Sequence, residues 1–272
     1  MDERLIQQWV PDELWNLAGP LIPPPPRRRQ GGGTPPIDAR AVFAAIVYVL
    51  TTGCAWRHLP PGFGVSRATA HRRFTAWTAA GLWRRLHVAA LDQLGAQGLI
   101  DWSRATADAA YVRAKKGGGL TGPSPVDRGK PGSKIHALSE RGGLPLSVGV
   151  SAANTHDSRC LESLVKAIPA VRSRRGPRRR RPDKLHADKG YDYPHLWRML
   201  RQRGIRPRIA RRGIDSPNRL GRHRWVIERT FAWFTGYRRL TIRYERNPGL
   251  YCALLTLAAA LTCHKRYLRL TT

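Results

Sequence analysis

Asp108, Asp188 and Glu228 are the residues of this chain best suited to chemistry, because almost everything around them is basic. The 272-residue sequence holds 48 Lys and Arg against 18 Asp and Glu, a formal charge of +30. Asp108 follows the β-prone stretch Ala105-Thr106-Ala107 and leads into Ala109-Ala110-Tyr111-Val112. Asp188 ends the run Lys184-Leu185-His186-Ala187 and precedes Lys189-Gly190-Tyr191. Glu228 lies inside Arg224-Trp225-Val226-Ile227-Glu228-Arg229-Thr230-Phe231, which reads as a helix. Carboxylates are hard oxygen ligands for Mg2+ or Mn2+. Two such ions roughly 4 Å apart serve both the attacking and the leaving oxygen of a phosphodiester. Two strand-end aspartates and a helical glutamate, in a protein whose charge suits a polyanion, point to metal-dependent chemistry on nucleic acid. Asp108 is the candidate for bridging both ions, since a strand restrains its rotamer.

Two of the acids also have a plainer reading, whereas the β-like surroundings of Asp108 offer it no cap to fill. Asp188 could be a turn residue, and Glu228 could pair with Arg224 or Arg229. Asp192, Asp157 and Asp127 compete as ligands, and Asp192 could stand in for Asp188. Arg224 precedes Glu228 by one helical turn, so the two share a face, and Arg224 could steady the glutamate or grip a phosphate. Trp225, Phe231 and Phe234 are expected in the core, with Trp233 the aromatic to stack on a base.

The elements that must position these groups are legible in outline. Residues 1 to 20 have helical spacing at Leu5, Trp9, Leu14, Trp15 and Leu17. A Pro/Arg/Gly stretch, Pro23 to Pro36, reads as a linker or extended arm, placed within residues 21–37. Asp38 is a suitable N-cap for an apolar helix to Thr52, and Gly53 a stop. After a rigid turn through Trp56 to Gly64, Ser66 caps a second helix from Arg67 to about Ala80, with Phe74 and Trp77 inward. Gly81 ends it, and a third helix carries Leu82, Trp83, Leu86 and Leu94. A helix, a turn and a capped basic helix outline a helix-turn-helix reader, with Arg67, His71, Arg72 and Arg73 toward DNA.

From residue 101 the pattern turns to short β-type runs at Ala105–Val112, Ser133–Ser139, Leu144–Ala152 and Lys184–Ala187, with Gly142-Gly143 as a hairpin turn. Helices are expected at Ser158–Ile168, Tyr193–Arg203, Arg219–Thr235 and Leu250–Leu268. This predicts an α/β fold, a mixed sheet flanked by helices over 101–272, preceded by a helical DNA-binding region over 1–100. The basic block from Arg172 to Pro182 should be a mobile loop unless it meets phosphates. Arg174, Arg175, Arg178 and Arg179 within it join Arg113, Lys134, Arg224, Arg238 and Arg239 as expected contacts to double-stranded DNA.

Composition narrows the function classes. A sequence pI near 11.5 is the footprint of a polyanion binder. Nine Trp and isolated acids in apolar settings argue against a ribosome-like or chromatin-like structural protein. The apolar stretch from Leu250 to Cys263 is too short to span a bilayer. The start Met1-Asp2-Glu3-Arg4 has no signal pattern. Cys54, Cys160, Cys252 and Cys263 have neither CxxC nor zinc-finger spacing, so they read as small buried hydrophobes in a reducing cytoplasm.

The motifs resemble those of bacterial insertion-sequence DDE transposases of the insertion-sequence-five group, related to the insertion-sequence-four group. The resemblance spans nearly the whole chain. It is carried by Asp127-Arg128-Gly129-Lys130-Pro131-Gly132-Ser133-Lys134-Ile135-His136, by Gly143-Leu144-Pro145-Leu146 and by Ala153-Asn154-Thr155-His156-Asp157-Ser158. His186-Ala187-Asp188-Lys189-Gly190-Tyr191-Asp192, Arg224-Trp225-Val226-Ile227-Glu228-Arg229 and Gly53-Cys54-Ala55-Trp56-Arg57-His58-Leu59-Pro60 add to it. It implies a ribonuclease-H-like fold and two divalent metals, Mg2+ or Mn2+. It also implies cleavage at inverted-repeat ends followed by strand transfer, by a dimer or higher assembly on DNA. Asp108, Asp188 and Glu228 would be the metal-binding catalytic triad, with Arg224 beside them. Of the related group's signature Tyr-x2-Arg-x3-Glu-x6-Lys, Arg224 and Glu228 are kept. Gly221 stands for the Tyr and Thr235 for the Lys, where Arg238 or Arg239 could substitute. The short interval from Asp188 to Glu228 leaves no room for a large inserted domain. The rival readings are a metal-dependent nuclease that cuts without joining and a catalytically decayed DNA-binding protein.

Overall fold

The computed structural model describes residues 1–24, 37–211, 213–214 and 217–271, and only the backbone of residues 217–224. The opening helix expected over residues 1 to 20 is two helices, α1 (Glu3–Trp9) and α2 (Asp12–Ala18). Pro11 explains the break: it lacks an N–H and pushes the preceding residue out of the helical region, and Val10 is extended accordingly (φ −135°). Most of the expected linker, residues 25–36, lies outside the described residues.

α3 (Ala39–Thr52) starts where its cap dictates. The Asp38 carboxylate accepts from Arg40 N at 3.3 Å and Ala41 N at 2.9 Å, a cap worth about 1 kcal/mol. It stops at Gly53, whose φ of +73° suits glycine and whose Hα side faces Arg238 too closely for a Cβ. The connection to α4 (Arg67–Ala79) holds two 3-10 turns, Trp56–His58 and Pro61–Phe63. Ser66 Oγ caps α4 by accepting from Thr69 N, and Gly81 leads into α5 (Leu82–Ala96).

The sheet follows as β1 (Ala105–Ala114), β2 (Gly122–Pro123), β3 (Pro131–Glu140) and β4 (Pro145–Ala152). Then come α6 (Ser158–Ala167), β5 (Lys184–Ala187), α7 (Pro194–Gln202) and β6 (Arg206–Ile209). The chain ends with α8 (Pro217–Thr235), β7 (Ile242–Arg243) and α9 (Pro248–Thr271). The central order is β4-β3-β1-β5-β6, with β4, β3 and β1 antiparallel and β1, β5 and β6 parallel. β2 adds to β3, and β7 extends β1. This is the mixed, helix-flanked sheet expected from the sequence. β6 was hidden from sequence patterning because Arg206, Pro207 and Arg208 all count against a strand. It pairs only with β5, and an edge tolerates the proline.

Period-two alternation gives the sheet two apolar faces. Ala107, Leu138 and Leu185 meet Leu161 and Leu164 of α6 and Leu196 of α7. Val112, Ile135 and Ala137 meet Ile227 and Phe234 of α8 and Leu254 of α9. Phe43 and Ile46 of α3 and Phe74 of α4 belong to that second cluster, and α5 packs along α9. Residue 100 lies between α5 and β1, and apolar contact continues across it. No helix among the described residues is long and apolar enough to cross a membrane.

The basic block is more anchored than a mobile loop. Val171 and Arg179 form a backbone bridge, and Arg178 makes a two-pronged contact with Asp92 on α5.

Candidate active site

Asp108 and Asp188 follow the parallel pairing of β1 and β5. There Thr106 stands beside His186, and two residues further along each chain come Asp108, inside β1, and Asp188, just past the end of β5. The charges of both reach the Tyr191 hydroxyl. Asp108 is held by a strand that also pairs with β3, opposite Ala137. Asp188 sits where the chain leaves β5 for a 3-10 turn, Lys189–Tyr191. A backbone N–H fixes one oxygen of each carboxylate: Ala109 N donates to Asp108 Oδ1 and Gly190 N to Asp188 Oδ1, both at 2.8 Å.

Residue 190 must be small for this to hold. A Cβ there would lie 2.9 Å from Asp188 Oδ1. Gly190→Ala is therefore expected to displace that carboxylate, lowering DNA cleavage by about 10-fold or more while thermal unfolding shifts little. Cleavage kinetics beside a melting curve check it, and an unimpaired rate would contradict this account of the turn.

Beneath the pair lies a polar layer. Tyr191 is buried, and among the described residues its hydroxyl has no hydrogen-bond partner. Burial pushes its phenol well up, and the charges of Asp108, Asp157 and Asp188 push it further. Lys134 is buried too, donating to Asp157 Oδ1 and Thr155 O, each at 2.8 Å. Its burial would lower its pKa, but its hydrogen bond to Asp157, the charge of Asp157 and the neighbouring Tyr111 outweigh that and the net shift is upward. His136 shares a 2.7 Å hydrogen bond with Ser151 Oγ, and burial, against the pull of Asp157, lowers its pKa to about 4, so it is neutral at pH 7.

α8 packs across β1 and β3 with Val226, Ile227, Thr230 and Phe234 inward and Glu228 exposed. The β3–β4 hairpin anchors it. Thr230 Oγ1 donates to Gly143 O at 2.8 Å, and Arg229 donates to Gly142 O. The hairpin is braced in turn by buried Glu140, which accepts from Leu144 N at 2.9 Å and Asp101 N at 3.2 Å. Trp225, expected in the core, is half exposed with the Arg229 guanidinium 4.7 Å from its ring centre. Trp233 stands between Arg229 and Arg266. Of the competing acids, Asp192 accepts from Trp197 Nε1 at 3.0 Å, and Asp127 pairs with Lys130 on the surface.

Known families match both parts of the chain. Residues 10–87 match the transposase IS4/5 family model (DUF4096), and residues 92–263 match the transposase DDE domain. The chain belongs to the DDE transposase family. A protein of Burkholderia cepacia named as a transposase for insertion sequence element IS402 is 45% identical over 143 residues, 53% of this chain and 68% of the relative. The insertion element IS402 uncharacterized 16.2 kDa protein of the same organism is 45% identical over 118 residues, 43% of this chain and 80% of that protein. Among solved structures, a piggyBac transposase synaptic complex aligns at TM-score 0.44 with 9% identity, over 99% of this chain and 76% of its own. A Mos1 pre-cleavage transpososome aligns at TM-score 0.31 with 10% identity, over 89% and 82%. The assignment rests on the family models and the IS402 relatives.

This transposase is an enzyme acting on DNA, in a family whose chemistry uses divalent metal. Its residues fit such an ion in part. The carboxylates of Asp108 and Asp188, whose charges both reach the buried Tyr191 hydroxyl, are hard-oxygen chemistry. Glu228, however, stays on the outer flank of α8. Among the described residues, no three His, Cys, Asp or Glu side chains stand close enough to hold one ion. The Arg224 side chain lies outside the described residues. The expected DNA contacts divide. Arg67, His71, Arg72, Arg113, Arg174, Arg175 and Arg238 are exposed, and Arg73 is half-buried. Arg178 and Arg179 are exposed but tied to Asp92 and Asp183. Lys134 and Arg239 do not offer their charge to a polyanion here. Lys134 serves Asp157, and Arg239, 6% exposed, pairs with Glu245 at 2.7 Å and donates to Cys54 O. Tyr191 was missed as a site residue; its one sequence signal was its place in the turn after Asp188.

Proposed function

We propose that this transposase binds the inverted-repeat ends of an insertion sequence, cleaves a phosphodiester there, and joins the freed 3′-hydroxyl to target DNA. The β1–β5 register supports this reading: it pairs Thr106 with His186, two residues before Asp108 and Asp188, and carboxylates gathered near such a pairing suit divalent-metal phosphodiester chemistry. Asp108, Asp188 and Glu228 would hold two Mg2+ or Mn2+ ions. Bound there, such ions activate the attacking oxygen and relieve charge on the leaving one. The chain's own part is positioning. β1 and the Gly190 turn fix two carboxylates, and Glu228, exposed on the outer flank of α8, would have to turn toward them to complete the set. Residues 1–100 would hold the ends through α4, with Arg67, His71 and Arg72 on its open face, and residues 101–272 would carry out catalysis. Cutting two ends together favours a dimer or larger assembly on DNA.

The test is purified protein with end-labelled repeat DNA, a supercoiled target plasmid, and Mg2+ or Mn2+. Nicking at the repeat boundary and joined product are expected. Cutting without joining would favour a nuclease, and binding without cutting under either metal would favour a decayed DNA-binding protein.

A further inference from the structure

The arginine block builds a cavity of its own, remote from the acids. It encloses about 560 Å3, and its lining includes Arg178, Arg179, Arg180, Arg181, Asp183 and Arg203. Asp183 precedes β5, and Arg203 follows α7 just ahead of β6, so the cavity opens at the start of these parallel strands. Asp188 lies at the other end of β5. At about 3.3 Å per residue the two sites are some 16 Å apart along that strand.

Carboxylates match two of the guanidinium groups, and backbone carbonyls, which leave charge standing, hold others. Arg180 Nη2 donates to Lys166 O at 3.3 Å, and Arg178 Nη1 to Ala170 O at 2.7 Å. The Arg181 side chain runs so close to Gly204 that a Cβ there would meet its Nη1 at 2.6 Å. Asp92 matches Arg178 and Asp183 matches Arg179, at 2.7 and 2.5 Å. Among the described residues Arg180, Arg181 and Arg203 have no ion pair. Gathering Arg180, Arg181 and Arg203, the last within reach of the Glu162 charge, around one cavity costs electrostatic energy that an anion would relieve.

We propose that this cavity is a clamp for the phosphate backbone of a DNA segment away from the point of cleavage. It rests on the proposed function for its ligand, since the chain's substrate is DNA and Arg180, Arg181 and Arg203, with no ion pair among the described residues, gather cations for a backbone around one cavity. Phosphate contact carries no sequence information, so the clamp grips any sequence.

The test uses the full chain in three forms: wild type, the triple variant Arg180→Ala/Arg181→Ala/Arg203→Ala, and a charge-matched control, Arg4→Ala/Lys116→Ala/Arg128→Ala. Affinity for duplex DNA of unrelated sequence is measured across a salt series, and repeat-end DNA is footprinted with hydroxyl radicals. The cavity variant should lose about 2 to 3 from the slope of log K against log salt and bind on the order of 10-fold or more weakly at 0.1 M salt, as roughly 0.9 per phosphate contact implies. Its footprint should lose protection several base pairs from the cleavage point and keep it there. An equal loss in the control would reduce the effect to net charge and overturn the proposal, as would loss of protection at the cleavage point itself. Displacement of DNA by inorganic phosphate, where chloride of the same ionic strength has no effect, would make the cavity a free-phosphate site instead. If wild type cuts no DNA under any metal, the cleavage reading fails while the affinity comparison still decides the clamp.

Discussion

Asp108→Asn and Asp188→Asn should each cut repeat-end cleavage by on the order of 10³-fold or more while leaving the protein folded and bound to DNA. Asn keeps the shape and the acceptor that Ala109 N and Gly190 N occupy, so the local backbone has no reason to move. What is lost is the anionic charge a divalent ion requires of its oxygen ligands. Removing a negative charge from so basic a chain should leave DNA affinity unchanged or slightly raised. Glu228→Gln should act in the same direction. Nicking assays beside circular dichroism and gel-shift binding check all three. An Asp188→Asn variant within 10-fold of wild type would place the second carboxylate elsewhere. Asp157, whose charge reaches the Tyr191 hydroxyl, would then come before Asp192, whose carboxylate already serves Trp197.

Arg243→Met should be the most damaging substitution for stability. Arg243 is 0% exposed, yet its guanidinium meets only carbonyl and hydroxyl oxygens. Nε donates to Glu245 O at 2.8 Å, Nη1 to Leu120 O at 3.0 Å and Ser133 Oγ at 2.6 Å, and Nη2 to Gly119 O at 2.6 Å. One side chain thus ties β7, β3 and the segment after β1 together, with the Tyr251 ring 5.6 Å from its charge. Met fills similar space but leaves those acceptors buried without donors, at about 1–3 kcal/mol each. Allowing for relaxation, the loss should be about 4 kcal/mol, or roughly 10 °C in Tm. Exposed Arg246→Ala, by contrast, should change stability by less than about 0.5 kcal/mol. A loss below about 1 kcal/mol in Arg243→Met would mean that water or another donor satisfies the segment.

Local features were legible because they depend on residues within a turn of one another. Asp38, Gly53 and Ser66 bound their helices as their chemistry requires, Gly142-Gly143 turns the hairpin, and the motifs around Asp188 and Glu228 named the family before any coordinates did. The same local reasoning overran Pro11, a single residue against a strong apolar spacing, and passed over β6, whose arginines and proline read as loop.

Only the tertiary structure could say which charges are spent. Lys134 and Arg239 look like any other cation in a basic sequence, and burial beside Asp157 and Glu245 is a property of packing. The same holds for Arg178 and Arg179, tied to distant or looping acids. Residue types and order singled out Asp108, Asp188 and Glu228, but their geometry came from elsewhere. The β1–β5 pairing brings the segments of two of them together, and the seating of α8 leaves the third on its outer flank. Side-chain chemistry is written residue by residue, whereas register and burial arise from pairings between segments far apart in the chain, and no local rule encodes those.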